Sequence, residues 1–346
     1  MLKIEDLHVR RGAFSLGPLS LEVPEGEYFV LLGPSGAGKT TLLEWLVGFH
    51  RAHAGTLRLE GRDVTVEPPR NRPLAVVFQD LALFPHLPVR ENLAFALRVE
   101  AWPEDKIAAR VQELAELLRI AHLLDAGVGK LSGGEARRVA LGRALAAGRK
   151  VLLLDEPLSG LDPVLRRDVR FELARLHREL GLTVFHITHH LGEARSLATR
   201  MGILLDGGLA QSGNPDEVFR HPANARVARA LMIPNFVEGV GVPGSGLFRM
   251  GPLLSVPAAV RKDGPLHARV EGLSLSPSHR GVGRWEGILR GIERPDGGSW
   301  RATVALPTGE GEALFEVLVP APYPAAPRPG DTVCVDFTNA RWEFYG

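Results

Sequence analysis

The segment Gly33-Pro34-Ser35-Gly36-Ala37-Gly38-Lys39-Thr40 has the residue types and spacing of a loop that grips phosphate. Glycines let successive backbone N–H groups turn toward phosphate oxygens, and a helix start behind them adds partial positive charge. Lys39 would reach the β- and γ-phosphates of a nucleoside triphosphate, and Thr40 would offer its hydroxyl to Mg²⁺. The bland alternative is a glycine-rich turn that matches by chance; its place between an apolar run and a helical run weighs against that.

A second segment, Val151-Leu152-Leu153-Leu154-Asp155-Glu156-Pro157, ends an apolar run in two adjacent carboxylates. A buried strand of this kind delivers charge to the carboxyl edge of a sheet, where open α/β folds bind ligands. Asp155 is suited to hold Mg²⁺, directly or through water, and Glu156 to polarise an attacking water. Alone this is an ordinary strand end; downstream of a phosphate loop it gains weight. A third segment, Leu131-Ser132-Gly133-Gly134-Glu135, opens a helix with Ser at the N-cap and two glycines behind it. Ser-x-x-Glu is also a routine capping box. Beside the first loop, however, it makes a second phosphate-binding helix end in one chain, which predicts a nucleotide shared between two copies.

The elements that must position these groups follow from hydrophobic periodicity. Residues 28–32 form a continuous apolar strand, 40–47 a helix, and 58–66 and 74–78 further strands. From 89 to about 147 the pattern is helical, with Ile107, Val111, Leu114, Leu117 and Leu118 at helical spacing. Strands return at 151–154 and 183–187 with a helix between them, so the class is α/β with a mainly parallel sheet. Beyond about Ile233, Pro and Gly become dense. Short strands at 302–306, 313–319 and 332–337, with a turn signal at 295–298, predict a small all-β, barrel-like domain after a linker near Pro234.

At 346 residues the chain has room for one large and one smaller domain. A formal net charge of +1 gives no broad electrostatic argument for nucleic acid. Cys334 is the only cysteine, so no internal disulfide forms. The N-terminus carries no signal-like apolar core and no window is long enough to span a bilayer, so a cytoplasmic chain is expected, with any membrane role coming through a partner.

Together, the phosphate loop, the Leu131–Glu135 segment and the strand ending at Asp155-Glu156-Pro157 resemble the nucleotide-binding subunit of ABC transporters over residues 1–232. The resemblance implies a P-loop NTPase core of RecA-like type with an antiparallel β subdomain and a helical subdomain at about 89–147, spanning 1–233. A small β-barrel regulatory domain would follow at 235–346. It implies an ATPase that uses ATP and Mg²⁺. Gln79 matches the glutamine that touches Mg²⁺ and the attacking water, Ser159-Gly160-Leu161-Asp162 the loop that crosses the dimer interface, and His189 the histidine that contacts the γ-phosphate. The implied catalytic set is Glu156, His189 and Gln79, and the implied metal set Thr40, Gln79 and Asp155. Nucleotide would be held by residues 33–38, Lys39, Thr40, Thr41, Phe14, Ser132, Gly133, Gly134 and Asp162.

The run 78–92 resembles importers served by an extracytoplasmic solute-binding protein. Residues 127–141, 120–124 and 11–14 resemble most closely the molybdate or tungstate importers, with sulfate, iron, polyamine and sugar relatives near them. The tail resembles the β-barrel regulatory domain of those importers, with 268–276 loosely matching its Arg-Pro-Glu motif. The implied partners are a second copy, integral membrane permease subunits and the solute-binding protein, at the cytoplasmic face of the membrane and without nucleic acid. His190 stands where the family usually has Asp, Gly160 replaces the commoner Ala, and Ala136 replaces Arg or Gln.

Phe14 is the candidate adenine-stacking aromatic, with packing in the β subdomain as the equal alternative and Arg11 as another occupant of that position. The trio His186, His189 and His190 lacks the converging second cluster a zinc site needs. Arg137 and Arg138 read as solvated helix charges, and Trp45 and Phe84 as packing residues, Phe84 lying where a helix of the membrane partner would dock. Two rival classes are a soluble ABC ATPase of DNA repair or translation, which usually carries a coiled coil or two cassettes, and a P-loop kinase, which needs neither Leu131–Glu135 nor Gln79.

Overall fold

In the computed structural model the described residues are 1–242, 247–250, 254–257, 264–271, 273–276, 284–293, 301–308, 312–319, 328–337 and 340–345. The chain divides into two compact units, Met1–Val218 and Phe219–Gly346.

The first unit opens with the antiparallel pair β1 (Leu2–Arg11) and β2 (Phe14–Val23), followed by β3 (Tyr28–Leu32). All five residues of β3 are buried, as an apolar run covered on both faces requires. The glycine-rich loop leads from β3 into α1 (Lys39–Val47). Next come β4 (Ala54–Leu59) and β5 (Arg62–Asp63). The single strand expected at 58–66 is therefore broken. Glu60 and Gly61 take φ of +52° and +79° and close a two-residue hairpin, the geometry a tight antiparallel return favours.

β6 (Leu74–Val77) precedes three helices, α2 (Val89–Val99), α3 (Glu104–Leu117) and α4 (Gly133–Leu145). α3 buries Ile107, Val111 and Leu114 on one stripe, as their spacing predicts. β7 (Val151–Asp155), α5 (Pro163–Leu180), β8 (Thr183–Thr188), α6 (Leu191–Leu197), β9 (Arg200–Leu205) and β10 (Gly208–Gly213) complete the order. β6, β7, β8, β3 and β9 lie parallel in that spatial order, and β10 pairs antiparallel at the edge. A second sheet, β2-β1-β4-β5, is antiparallel. Parallel strands share one carboxyl edge, so the glycine loop after β3, Asp155 ending β7, Gln79 beyond β6 and His189 beyond β8 all emerge there.

The second unit holds α8 (Ala225–Ala230), after α7 (Pro215–Arg220), and then, among the described residues, ten strands. β11 (Phe236–Val242), β12 (Leu247–Met250), β13 (Leu254–Pro257) and β14 (Gly264–Glu271) are followed by β15 (Ser274–Ser276) and β16 (Arg284–Glu293). β17 (Arg301–Pro307), β18 (Glu312–Leu318), β19 (Thr332–Asp336) and β20 (Arg341–Tyr345) end the chain. β15-β18-β17-β16-β19 close a barrel, which removes exposed strand edges. Leu289, Phe315 and Val335 of its strands are buried in a core cluster that also takes in Phe248 of β12. The strands expected at 302–306, 313–319 and 332–337 are β17, β18 and β19. A five-stranded sheet, β13-β12-β11-β14-β20, adds to the barrel what the turn-rich sequence did not announce. The turn signal at 295–298 lies outside the described residues.

Candidate active site

A cleft of about 480 Å³ opens at the carboxyl edge of the parallel sheet. Its walls bring together Ser35, Gly36, Gly38, Lys39, Thr40 and Thr41 from the glycine loop and α1, Asp155 and Glu156 from the end of β7, Gln79, Phe14 and Arg11. Gly33, Pro34 and Ala37 complete the loop behind them. The Lys39 ammonium donates to the Gly33 and Pro34 carbonyls at 2.7 and 2.9 Å, so the side chain lies folded across its own loop.

Gly38 is the N-cap of α1 with φ +103°, and no side chain caps that helix end. Its first N–H groups are thus left for another acceptor. A side chain at 38 would be strained by the left-handed backbone and would also meet the Phe14 ring, 2.7 Å from the position of its Cβ. Phe14 therefore both lines the cleft and packs beneath the loop, against the core of the β subdomain. Arg11 shares the cleft wall and donates to Glu44 at 2.8 Å.

Asp155 and Glu156 are adjacent carboxylates on a partly buried floor. Burial pushes the Asp155 carboxyl above its ordinary value, the Glu156 charge pushes the same way, and Lys39 opposes them. Burial likewise holds the Lys39 ammonium below its ordinary value, against the pull of Glu156 and Asp155. Glu156 occupies the left-handed region at φ +43°, and its Oε1 lies 2.9 Å from Nδ1 of His189. Gln79 lines this cleft and an adjoining one of about 680 Å³ that also includes Asp155, Ser159, Phe49 and Phe78. The Phe49 and Phe78 rings stack at 6.0 Å.

Ser132, Gly133 and Gly134 do not line the cleft. Ser132 is the N-cap of α4 in a closed capping box: its Oγ accepts from the Glu135 N–H, and Glu135 Oε2 accepts from the Ser132 N–H at 2.8 Å. Those contacts hold the exposed Glu135 carboxyl below its ordinary value. Asp162 also stands apart, capping α5 by accepting the Val164 and Leu165 N–H groups at 3.0 Å. Gly160, between them, takes φ +71°, which the commoner alanine would adopt only under strain.

The three histidines go separate ways. His186 is fully buried, with Nδ1 3.0 Å from the Tyr28 hydroxyl; His189 meets Glu156; and the His190 ring lies tilted against that of His189 with ring centres 4.1 Å apart. Arg137 is not a solvated helix charge. It is 7% exposed, because α4 is packed on several sides and has no wholly solvent-facing stripe at that position. Arg138 is tied to the largely buried Glu172 at 2.9 Å. Trp45 is buried in the core, and Phe84 is half-buried against Phe95, with Arg143 over its ring at 5.2 Å.

The profile of the family described as ABC transporter matches residues 16–159. The sulfate/thiosulfate import ATP-binding protein of Burkholderia mallei is 40% identical over 318 residues, 89% of this chain and 90% of that protein. This chain belongs to the ABC transporter ATP-binding proteins. The molybdate/tungstate import ATP-binding protein of Thermococcus kodakarensis is 44% identical over 240 residues, 69% of this chain and 73% of its own length. The spermidine/putrescine import ATP-binding protein of Chromobacterium violaceum is 43% identical over 240 residues, of which the match spans 66% of the relative. A solved ATP-binding cassette of an ABC transporter superposes with a TM-score of 0.58 at 26% identity, covering 66% of this chain and 98% of that one.

As a member of that family the chain has the P-loop NTPase fold and an ATP-binding role, and among its described residues no helix is long and apolar enough to cross a membrane. Two features of the site escaped the sequence. The buried set Tyr28, His186, Glu193 and Arg137 joins four elements and has no fixed spacing to recognise. The hold of Glu44 on Arg11 links a helix to a distant strand end, and no periodicity predicts it.

Proposed function

We propose that this chain is the ATP-hydrolysing subunit of an importer, working as a pair of copies beneath permease subunits at the cytoplasmic face of the membrane. The observation that carries the reading is the cleft in which Lys39, Thr40, Gln79, Asp155 and Glu156 converge, with Ser132–Gly134 left outside it. In the proposed division, residues 1–233 form the ATPase and 235–346 the regulatory β domain.

The backbone of residues 33–38 and the Lys39 ammonium hold the phosphate chain. Lys39 exchanges its two carbonyl partners for phosphate oxygens, a stronger charge-assisted contact. Thr40, Gln79 and Asp155 offer the hard oxygen donors that suit Mg²⁺, which takes few protein ligands and keeps phosphate and water. The raised Asp155 carboxyl fits that use, since a cation beside it would offset its burial and its crowding by Glu156. When bound, Mg²⁺ supplies neutralisation of charge on the phosphate oxygens.

Glu156 accepts a hydrogen bond from the attacking water, and His189, 2.9 Å away, orients that carboxylate and contacts the γ-phosphate. Ser132, Gly133, Gly134 and Asp162 serve the nucleotide held by the second copy. Hydrolysis removes the γ-phosphate contacts and lets the pair reopen, a rigid-body motion that the Gln79–Asn92 segment passes to the permease.

An oxyanion such as sulfate, molybdate or tungstate is the proposed cargo. The support is the sulfate/thiosulfate relative, whose match runs through 89% of this chain and so includes its C-terminal region. The polyamine relative is 43% identical over 69% of this chain, which makes polyamine the competing cargo. Reconstitution with the cognate permease and binding protein in vesicles decides between them: ATP-driven uptake of an oxyanion is expected, and uptake of spermidine instead would reassign the cargo.

A further inference from the structure

Beneath the Glu156–His189 pair lies a group of buried polar side chains for which the proposed hydrolytic scheme has no use. Arg137, on the second turn of α4, is 7% exposed; Glu193, on α6, is 2% exposed; His186 and Thr188, on β8, are 0% and 1% exposed. Taking charges out of water costs several kcal/mol per ion unless other groups compensate, roughly the scale of a domain's whole stability. Such a set persists only where something holds it together.

Its contacts run to both catalytic loops. Glu156 sits in a left-handed conformation that an unsupported glutamate avoids. The turn 156–159 that carries it is held at both ends: the Glu156 N–H donates to the Ile187 carbonyl at 2.9 Å, and Arg137 Nη2 donates to the Ser159 carbonyl at 2.9 Å. The His189 loop is anchored from the other side. His186 and Thr188 project from the same face of β8, and Thr188 Oγ1 accepts the His190 N–H at 3.1 Å. His186 Nε2 stands 3.2 Å from Glu193 Oε2, off the line of a hydrogen bond, while its Nδ1 meets Tyr28. Burial pushes the Glu193 carboxyl upward, yet the contacts of His186 and Thr188 hold it below its ordinary value.

The remaining polar atoms are complementary. Arg137 keeps Nε and Nη1 buried without a hydrogen-bond partner, and both Glu193 carboxylate oxygens are in the same condition. The Glu193 charge is what offsets the burial of Arg137. Arg137 thus has one donor committed to the Glu156 turn and its charge committed to the carboxylate that braces the His189 strand.

We infer that Arg137 and Glu193, with His186, are positioning residues that set the Glu156 loop against the His189 loop. Neither touches nucleotide. They act on the placement of groups that do, and misplacement by a fraction of an ångström lowers a chemical step while leaving binding intact. The inference rests on the proposed hydrolytic roles of Glu156 and His189.

The test is steady-state ATP hydrolysis by the full chain, comparing Arg137→Gln, Glu193→Gln and the double variant. Each single variant is expected to lower kcat about tenfold with KM for ATP held within about twofold. The double variant is expected to be no slower than the slower single, because the charge of one offsets the burial of the other and removing either already breaks that compensation. A merely structural role would lower melting temperature without that split or that non-additivity. Unchanged kcat in both singles, a loss carried by KM, or singles that multiply in the double would each overturn the inference. Arg137→Lys keeps the charge and loses the fork; it is expected about threefold down in kcat. It also serves if a Gln variant does not fold, and wild-type kcat in it would likewise overturn the inference. Glu156→Gln runs beside them. Turnover surviving there would sink the hydrolytic assignment itself; turnover lost there but intact in Arg137→Gln and Glu193→Gln would sink only the positioning role.

Discussion

Two helix N-termini of this chain carry nearly the same recipe, glycines and a hydroxyl residue at a helix start, and the structure treats them oppositely. At α1 no side chain caps the helix, and the loop before it faces a cleft with Lys39 and two carboxylates. At α4 a capping box is closed by Ser132 and Glu135, the end is exposed, and no cleft residue adjoins it. The first end keeps its donors for a ligand in the cleft; at the second the box takes up the Glu135 N–H, and the Gly133 and Gly134 N–H groups are left for a phosphate presented from elsewhere. On the proposed function, the difference accounts for one nucleotide cleft in a chain with two phosphate-type ends, the second end serving a second copy.

Breaking the first end should have the largest effect. Lys39→Ala removes a charge-assisted contact to phosphate, and ATP affinity of the single chain is expected to fall about a hundredfold, read by titration with a fluorescent ATP analogue. Breaking the second end should spare that affinity. Ser132→Ala is expected to leave single-chain ATP binding within about twofold, lower turnover about tenfold, and cost about 1 kcal/mol of stability as a lost cap. Loss of ATP binding in Ser132→Ala would erase the distinction between the two ends.

Much of this contrast could be read from residue order. The loop at 33–40, the strand ending at Asp155 and the capped helix at Ser132 are local patterns, each set by neighbours in sequence, and periodicity placed β3, α1, α3, β7 and β8 around them. What could not be read was long-range or conformational. The hairpin at Glu60-Gly61 depends on two left-handed residues between Leu57/Leu59 and Val64/Val66, apolar pairs that read as one run. Arg137 looked like surface charge because its burial comes from the packing of α4 against other elements, and its partner Ser159 and the offsetting charge of Glu193 lie on separate segments. In the β unit, turn density announced barrel strands but not the sheet beside them, since strand pairing is set by register between distant segments.

A smaller effect sharpens the account of the cleft. Asp155 has a folded value above its unfolded one, so the nucleotide-free fold binds that proton more readily than the unfolded chain. Its contribution to stability is then greatest below the ordinary carboxylate range and falls as pH rises through the raised value. At pH 7.5 the charged group is a net cost, and Asp155→Asn is expected to raise the melting temperature of the nucleotide-free chain by about 2 °C. The gain should vanish in acid. A lowered melting temperature at pH 7.5 would contradict the burial and the crowding assigned to Asp155.

The most direct measurement of the central claim is the molar mass in solution of Glu156→Gln, saturated with Mg-ATP, by light scattering on a sizing column. With hydrolysis stalled, the open end of α1 in one copy and the capped end of α4 in the other should close on shared nucleotide, and a mass of two chains is expected, returning to one chain when ATP is withdrawn. A mass of one chain under saturating Mg-ATP, with the permease subunits added as well as without them, would contradict it.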